Sequence, residues 1–486
     1  MNIISQFNNF LTKNFNNFLN NYFNNSNYWY KSSDFNKYLS FMNDLDSFST
    51  SFMKDAIVAY FEYIDNVFFD SSYRKNFCDS KGFYERKNFV TIFGNINFKR
   101  RYYFDKNTNE YFFFVDLFPG LPKRKHFDPI VCSEIINKAS EFSYSKSAKL
   151  VAEKIGNKIN NNFYISRATA RNIVMNFNPV INEEYETKRI ERLFIMLDEK
   201  FVASQFNNGN DHMIKAAVIF EGSELEYKYK KKINSINRYK LINTHTCASI
   251  NNELLIDTLN YIYNVYDVNY LKEIYFMGDC ATWIKNFPKS NWFKFNKDTN
   301  VTFSMDGFHF SQALENLTTN KYPEVYTALL ELVSSNDKKG FIILANQFKD
   351  LFPERYDTIE EKINYILNNW NERQIYLNKP FLKCSMESHI SHIFADLFTS
   401  RPKAYSKKGL NKLLQIRLLK VNGYNLKDIY FKSLNISIPT VKNNITKDHI
   451  KHSNLNYHTN ESFYDYEYNI DSNIYYPYEN NIIKCI

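Results

Sequence analysis

Nothing in the sequence pairs its cysteines. The six stand at positions 78, 132, 247, 280, 384 and 485, with no Cys-x-x-Cys among them. That argues against a disulfide framework and a cysteine-based zinc site, and for a reducing compartment. No stretch approaches the ~18–20 apolar residues of a membrane span. Met1-Asn2-Ile3-Ile4-Ser5-Gln6 has neither the basic nor the apolar region of a secretory leader. A soluble, cytoplasmic protein with no membrane partner is expected. Gly and Pro are scarce, 11 each in 486 residues, whereas Phe and Tyr number 45 and 37. Together with frequent Asn, Lys and Ile, this balance matches AT-rich codon usage, so single Asn, Phe or Lys residues carry little information. Neither sign of charge dominates. Lys plus Arg is 61 against 52 for Asp plus Glu, a net +9, a modest excess that suits a polyanionic partner.

What is present centres on Lys272 to His309. Ile274, Tyr275 and Phe276 are strand formers, and their run ends in Gly278-Asp279, as a buried strand ends when it delivers an acid. Ala281 to Lys285 reads as the following helix. Val301 to Met305 repeats the pattern, closing with Asp306-Gly307-Phe308-His309. Either Asp alone reads as a turn former or helix cap. Two at corresponding strand ends point to an α/β core with its chemistry at one sheet edge.

Residues 1–75 read as helices, from the spacing of Phe7, Leu11, Phe15, Phe18 and Tyr22 and from the apolar run Ala56 to Phe69. Residues 89–128 hold a hairpin or small three-stranded sheet over Phe89 to Val115, turning at Asp105 to Asn109. Its Lys99, Arg100 and Arg101, beside Tyr102 and Tyr103, suit either a phosphate backbone or a charged strand edge. Residues 129–181 fit a helix-turn-helix. Ser145 to Ile155 is one helix, and Ser166 caps a second that carries Arg167, Thr169, Arg171 and Asn172 in its first turns. Two packed helices without DNA contact explain the same residues.

From Leu193 the order is strand, strand, strand, helix, strand, helix, strand: Leu193–Asp198, Met213–Phe220, Tyr239–Ile250, the helix Glu253–Tyr266, then the central stretch. That is the order of a ribonuclease-H-like fold, in which the first and fourth strands lie side by side. Residues 311–380 read as an α-helical insertion, with Thr358 and Glu361 as a capping box. The core resumes over 381–422. There Ile390, Ile393, Phe394 and Leu397 form a core-facing stripe, and Arg401, Lys403, Lys407 and Lys408 make a basic loop and helix start. Residues 423–486 turn from basic to Asn- and Tyr-rich, and the last part reads as a poorly ordered tail.

Asp198, Asp279 and Glu387 are therefore the candidate acids. Oxygen-only ligands suit Mg²⁺ or Mn²⁺, and two such ions ~4 Å apart can serve both oxygens of an in-line phosphoryl displacement. His309, His389 and His392 with Cys384 match no common zinc spacing; support of the acids or DNA contact is the expected role of these histidines. Trp283 reads as core or as a base-stacking platform.

The ordered pieces Phe93-Gly94, Lys99 to Tyr103, Gly120-Leu121-Pro122, Gly278 to Lys285, Asp306 to His309, Met386 to His392, Ser400-Arg401-Pro402 and Ser406 to Gly409 carry a resemblance. From about residue 90 to 425 the chain resembles the ISLre-type DDE transposases of bacterial insertion sequences, often grouped simply as an uncharacterised protein family and similar to Mutator-type transposases. The resemblance implies that Asp198, Asp279 and Glu387 are a catalytic, metal-holding triad using two Mg²⁺ or Mn²⁺ ions. Asp306 and His309 would be the family's D-x-x-H motif, and Trp283, His389 and His392 would support the site. Double-stranded DNA, both element ends and target, would be the partner, with at least a homodimer acting on it. The chain departs from the family pattern at Glu199, where Gly is usual after the first acid, and at Ser388, where Gly precedes the first His. An inactive, transposase-derived DNA-binding protein is the alternative, and a nuclease that cuts without joining is a third.

Overall fold

The computed structural model describes residues 12–20, 35–117, 126–159, 163–181, 185–206, 211–230, 235–319, 321–379, 389–400 and 403–434. Glu387, Cys384, Arg401 and the tail from 435 onward lie outside them, as do Phe7, Leu11, Tyr22 and Gly120-Leu121-Pro122. Two compact units divide at Val180 and Tyr424. Among the described residues, no helix is long and apolar enough to cross a membrane.

The first unit runs to Val180 and takes back the helix Leu426–Ser433. Its long helix α1 (Phe35–Asp70) covers one face of a sheet of β1 (Cys78–Thr91), β2 (Gly94–Asp105) and β3 (Glu110–Phe112), in that order. Phe61 packs on Phe98 at 4.6 Å, and Phe68 stacks on Phe114 at 4.0 Å. The sheet is three-stranded, but β1 begins well before the predicted Phe89. Lys81 to Asn88 conceals strand because that part of β1, Phe83 and Tyr84 included, is mostly exposed and no apolar alternation marks it. The last strand stops at Phe112 because Phe114–Leu117 turns helical and buries Asp116. Asp116 accepts from Arg86 at 2.7 Å and also from Arg100. Burial pulls both guanidinium groups down to about 10, and the Arg86 charge adds to the effect on Arg100. Arg101 pairs with Asp65 at 2.8 Å and lies between the rings of Phe69 and Phe83. Arg100 and Arg101, expected on a phosphate backbone, thus hold this unit together, and of the three basic residues there Lys99 alone is exposed.

Three further helices, α2 (Pro129–Ala139), α3 (Tyr144–Ile159) and α4 (Arg167–Met175), close around Val131, Ile135, Ala148, Val151, Ile155 and Ala170. The region is therefore a three-helix bundle, with Leu426–Ser433 packed on α2. Ser166 caps α4 as predicted, accepting from the Thr169 N–H at 3.0 Å.

The second unit is a five-stranded mixed sheet with helices. The strands are β4 (Arg192–Val202), β5 (His212–Phe220), β8 (His245–Ser249), β9 (Glu273–Gly278) and β10 (Asn300–Met305), in the order β10-β9-β4-β5-β8. β10, β9 and β4 run parallel, and β5 is antiparallel to both β4 and β8. Between β5 and β8 a separate hairpin departs, β6 (Gly222–Lys230) and β7 (Ser235–Ile242). The predicted third strand, Tyr239–Ile250, is therefore two strands. Asn243 breaks it at φ +51°, the left-handed conformation that Asn tolerates better than most residues.

Helix α5 (Leu254–Val265) lies between β8 and β9, and α6 (Thr282–Asn286) follows β9. After β10 come α7 (Gly307–Thr318), α8 (Pro323–Ser334), α9 (Lys338–Asp350), α10 (Tyr356–Asn368) and α11 (Trp370–Asn378), then α12 (Lys407–Val421). The described residues of 311–380 are thus mainly helical, but the Thr358–Glu361 box does not form. A 3₁₀ turn at Pro353–Arg355 starts α10 earlier, at Tyr356, with no side-chain cap. Ile390, Ile393, Phe394 and Leu397 are buried as expected, along a helix with a π turn at Ser391–Ala395.

Gly278 is the tightest point of the sheet. A Cβ there would lie 2.7 Å from Ile284 Cγ2 and 2.8 Å from the Leu197 carbonyl oxygen. The second neighbour is backbone, so β9 would have to part from β4 where the acids emerge. Gly278→Ala is expected to cost about 1–3 kcal/mol, the usual range for overpacking, read as a lower midpoint in urea unfolding. Asp116→Asn leaves two buried guanidinium groups without a counter-charge and is expected to cost about 3–5 kcal/mol in the same measurement.

Candidate active site

Strands β4 and β9 pair in parallel register from Arg192–Glu273 to Met196–Met277. Asp198 lies two residues past that pairing, opposite Ala216 on β5. Asp279 is the first residue after β9, and Asp306 the first after β10. Three carboxylates thus come level on adjacent parallel strands: β9 and β10 end there, while β4 continues beside β5 to Val202. Asp198 and Asp306 are 6% and 3% exposed.

Each acid is held by a backbone N–H. Asp198 Oδ1 accepts from Glu199 at 2.7 Å, Asp279 Oδ1 from Ala281 at 2.9 Å, and Asp306 Oδ1 from His309 at 2.9 Å. The turn after Asp279 places Cys280 at φ +69°, a left-handed conformation that costs a non-glycine residue roughly 1–2 kcal/mol. Such strain persists where the surroundings over-determine it. Here Cys280 is buried against Met305 and Phe310. The Tyr365 hydroxyl, from the insertion, donates to the Asp279 carbonyl.

The D-x-x-H pair has a clear local role. Asp306 caps α7, and its Oδ2 takes the His309 Nδ1–H at 2.7 Å. Burial disfavours the charged imidazole, but the Asp306 hydrogen bond, the Asp306 charge and the charges of Asp279 and Asp198 outweigh it, raising His309 to about 9. His309 is therefore held as a cation against Asp306, within the field of Asp279 and Asp198. Trp283, on α6, donates its indole N–H to Glu199, so the residue that replaces the expected Gly has a defined partner. Lys215 sits 5.3 Å from the Trp283 ring.

Of the other predicted residues, His389 is pushed down by burial and by the charge of His392. Lys403 donates to the Leu397 carbonyl at 2.9 Å, which assigns it to loop structure rather than to an open DNA surface. Lys407 and Lys408 are exposed at the start of α12. Arg167, Arg171 and Asn172 are exposed and Thr169 half-buried on α4, with Tyr164 just ahead of the helix 80% exposed. Among the described residues no group of three His, Cys, Asp or Glu is disposed to hold a metal.

Sequence reasoning missed Arg373. It lies on α11, 7% exposed, over the rings of Phe310 and Tyr376, within the field of Asp306. Its Nε and Nη1 have no hydrogen-bond partner among the described residues. No motif marks it, since it is one basic residue among many on insertion helices.

His309 titrates higher in the fold than its usual 6.5, so its stabilising contribution is complete below about pH 6.5 and is lost as pH rises through about 9. In chelator, the urea midpoint of His309→Gln should lie furthest below wild type at pH 6 and converge on it by about pH 10. A gap that does not change with pH would refute the ion pair.

The model of an uncharacterised protein family, UPF0236, matches residues 42–433. Two UPF0236 proteins of Caldanaerobacter subterraneus subsp. tengcongensis are each 27% identical over 410 residues. Both alignments cover 82% of this chain, and they cover 76% and 81% of the two relatives. A third from the same organism, whose name joins eleven designations, is 27% identical over 411 residues, covering 82% of this chain and 80% of the relative. The chain belongs to the uncharacterised protein family UPF0236.

Proposed function

We propose that the chain is a DNA transposase, or transposase-like recombinase of a mobile element, built on a ribonuclease-H-like core. The observation that carries the reading is the delivery of Asp198 and Asp279 to one sheet edge by neighbouring parallel strands. The order β10-β9-β4-β5-β8, with β5 alone reversed, is the ribonuclease-H-like order and supports the fold reading. Names that join eleven and four designations in one organism fit a gene present in many copies, as a self-moving element leaves behind.

The donor set suits Mg²⁺ or Mn²⁺ better than zinc. Asp198 and Asp279 offer hard oxygens, and the neighbouring imidazole, His309, is held protonated by Asp306 and so donates rather than ligates. Asp198 and Asp279 would hold the metal with Glu387, which lies outside the described residues. Bound there, the ions would favour both the attacking and the leaving oxygen of a phosphodiester. The chain supplies the rest. The Cys280 turn and Tyr365 orient Asp279, and Asp306 keeps His309 a cation beside the acids. Water then hydrolyses a phosphodiester at the element end, freeing a 3′-hydroxyl that attacks target DNA. Handling two ends calls for at least a dimer.

DNA recognition falls to α4. Arg167, Arg171 and Asn172 share its exposed side, at the N-terminal end that enters the major groove in helix-turn-helix proteins. Arg and Asn are the side chains that read G and A there by paired hydrogen bonds.

The test is Mg²⁺- or Mn²⁺-dependent cleavage and strand transfer on the DNA flanking the gene, comparing wild type with Asp279→Ala. A loss of about a hundredfold or more is expected, since a bound ion is worth several kcal/mol of transition-state stabilisation. Equal DNA binding by both proteins with no cleavage by either would instead leave an inactive, DNA-binding descendant of the fold. Cleavage without joining would leave a nuclease.

A further inference from the structure

A cavity of about 400 Å³ opens on the second unit. We propose that it receives one unstacked nucleotide of the DNA strand presented to the acids, an inference that rests on the transposase reading.

The place is set by topology. Ser204 and Phe206 follow β4, His212 opens β5, Asn251 and Asn252 follow β8, and Lys407 opens α12. Because β5 runs opposite to β4 and β8, these positions all fall on the sheet edge where Asp198 and Asp279 emerge. Lys215, another lining residue, pairs with Glu199. It therefore stands one register step from Asp198, with its side chain on the other face of the sheet, and reaches toward Trp283, four residues after Asp279.

The wall is tied rather than loose. The Tyr405 N–H donates to the Ala203 carbonyl at 2.9 Å, and the Tyr405 carbonyl accepts from the Gln205 N–H at 3.1 Å and from His212 Nε2 at 3.0 Å. A carbonyl only accepts, so His212 carries a proton on Nε2.

The lining selects the ligand. Lys215 and Lys407 supply two positive charges against the single carboxylate of Asp211, which favours an anion. Inorganic phosphate would leave the rest of the lining unused. The Phe206 ring, 79% exposed, offers a flat apolar face for a base. The amides of Asn251 and Asn252 carry both a donor and an acceptor, as a base edge requires. The volume lies in the range for one small ligand and has no room for a base pair, so the base must leave its stack to enter.

The experiment uses the full-length protein and a fluorescein-labelled 20-nucleotide single strand, with the blunt duplex of the same sequence as a reference. Anisotropy is measured for wild type, Phe206→Ala, Lys407→Gln and Asp279→Ala. Phe206→Ala is expected to weaken single-strand binding about tenfold, or ~1.4 kcal/mol, in line with one lost base–aromatic stack. Lys407→Gln should also weaken it and flatten its salt dependence by about one phosphate contact. Duplex binding should change less than about twofold, and Asp279→Ala should bind the strand like wild type. Unchanged single-strand affinity in both pocket variants, with wild type still cleaving DNA, overturns the pocket and leaves the transposase reading standing. Failure of wild type to bind either DNA overturns both. Saturable binding of a free deoxynucleoside monophosphate, lost in Phe206→Ala but without strand binding, overturns the DNA strand as ligand. A wild type that cleaves nothing, yet shows the expected loss of strand binding in the pocket variants, supports the pocket and sinks the catalytic reading alone.

Discussion

Three carboxylates brought to one sheet edge repel one another, and two of them, Asp198 and Asp306, are nearly out of water. Each is hydrogen-bonded there, and a cation is built in against Asp306. The backbone donors come from the residues just after each acid: Glu199, Ala281 and His309. The cation is His309, fixed by the same Asp306 that caps its helix. One side chain thus starts α7, anchors a positive charge and terminates β10. The cost of turning the chain at Cys280 is borne at the same point. Burial, like charge and backbone strain thus meet at one edge, the combination that marks a candidate functional site.

The first unit shows how misleading basic residues are when read without burial. Lys99, Arg100 and Arg101 look in sequence like one patch. In the sheet, only Lys99 points to solvent, while Arg100 serves Asp116 and Arg101 serves Asp65. Arg tolerates such duty because its planar group stacks on aromatics, here Phe113 for Arg100 and Phe69 with Phe83 for Arg101. In α4 the outcome is the opposite: Arg167 and Arg171 stay exposed because Ala170 and Val174 take the buried side.

The strands that carry the acids were legible because their chemistry is local. Leu193 to Leu197 and Ile274 to Met277 are unbroken apolar runs, as buried parallel strands are, and each is followed closely by an acid. The five-stranded sheet's third strand was misread because Tyr239 to Ile250 carries strand formers on both sides of Asn243, the left-handed residue that divides it. The start of β1 was invisible for a different reason: it is mostly exposed, Phe83 and Tyr84 included, so no buried face gives it an alternating pattern. Arg373 and Tyr365 were beyond reach in kind. Their importance lies in what they meet across the fold, Asp306 and Asp279, and no spacing within the insertion encodes that.

The insertion itself is better understood as part of the site than as an attached module. Its hydrophobic core is continuous with the strand ends, running from Cys280 and Met305 through Phe310 to Phe341, Ile363 and Trp370. Polar ties repeat the connection. Lys285 on α6 meets Glu372 and Asn369, each within 3 Å, and Lys379 donates to the Tyr275 hydroxyl at 2.8 Å. Tyr365 fixes the carbonyl of Asp279, and Arg373 brings two nitrogens, unpartnered among the described residues, into the field of Asp306. A buried guanidinium with open donors is costly to keep, and nothing in the packing of Phe310 and Tyr376 requires a charge there. Its cost is offset if the positive field is needed by the acids. On that reasoning the helices between β10 and the core's resumption hold the orientation of Asp279 and the charge balance of the edge together, and neither would survive their removal.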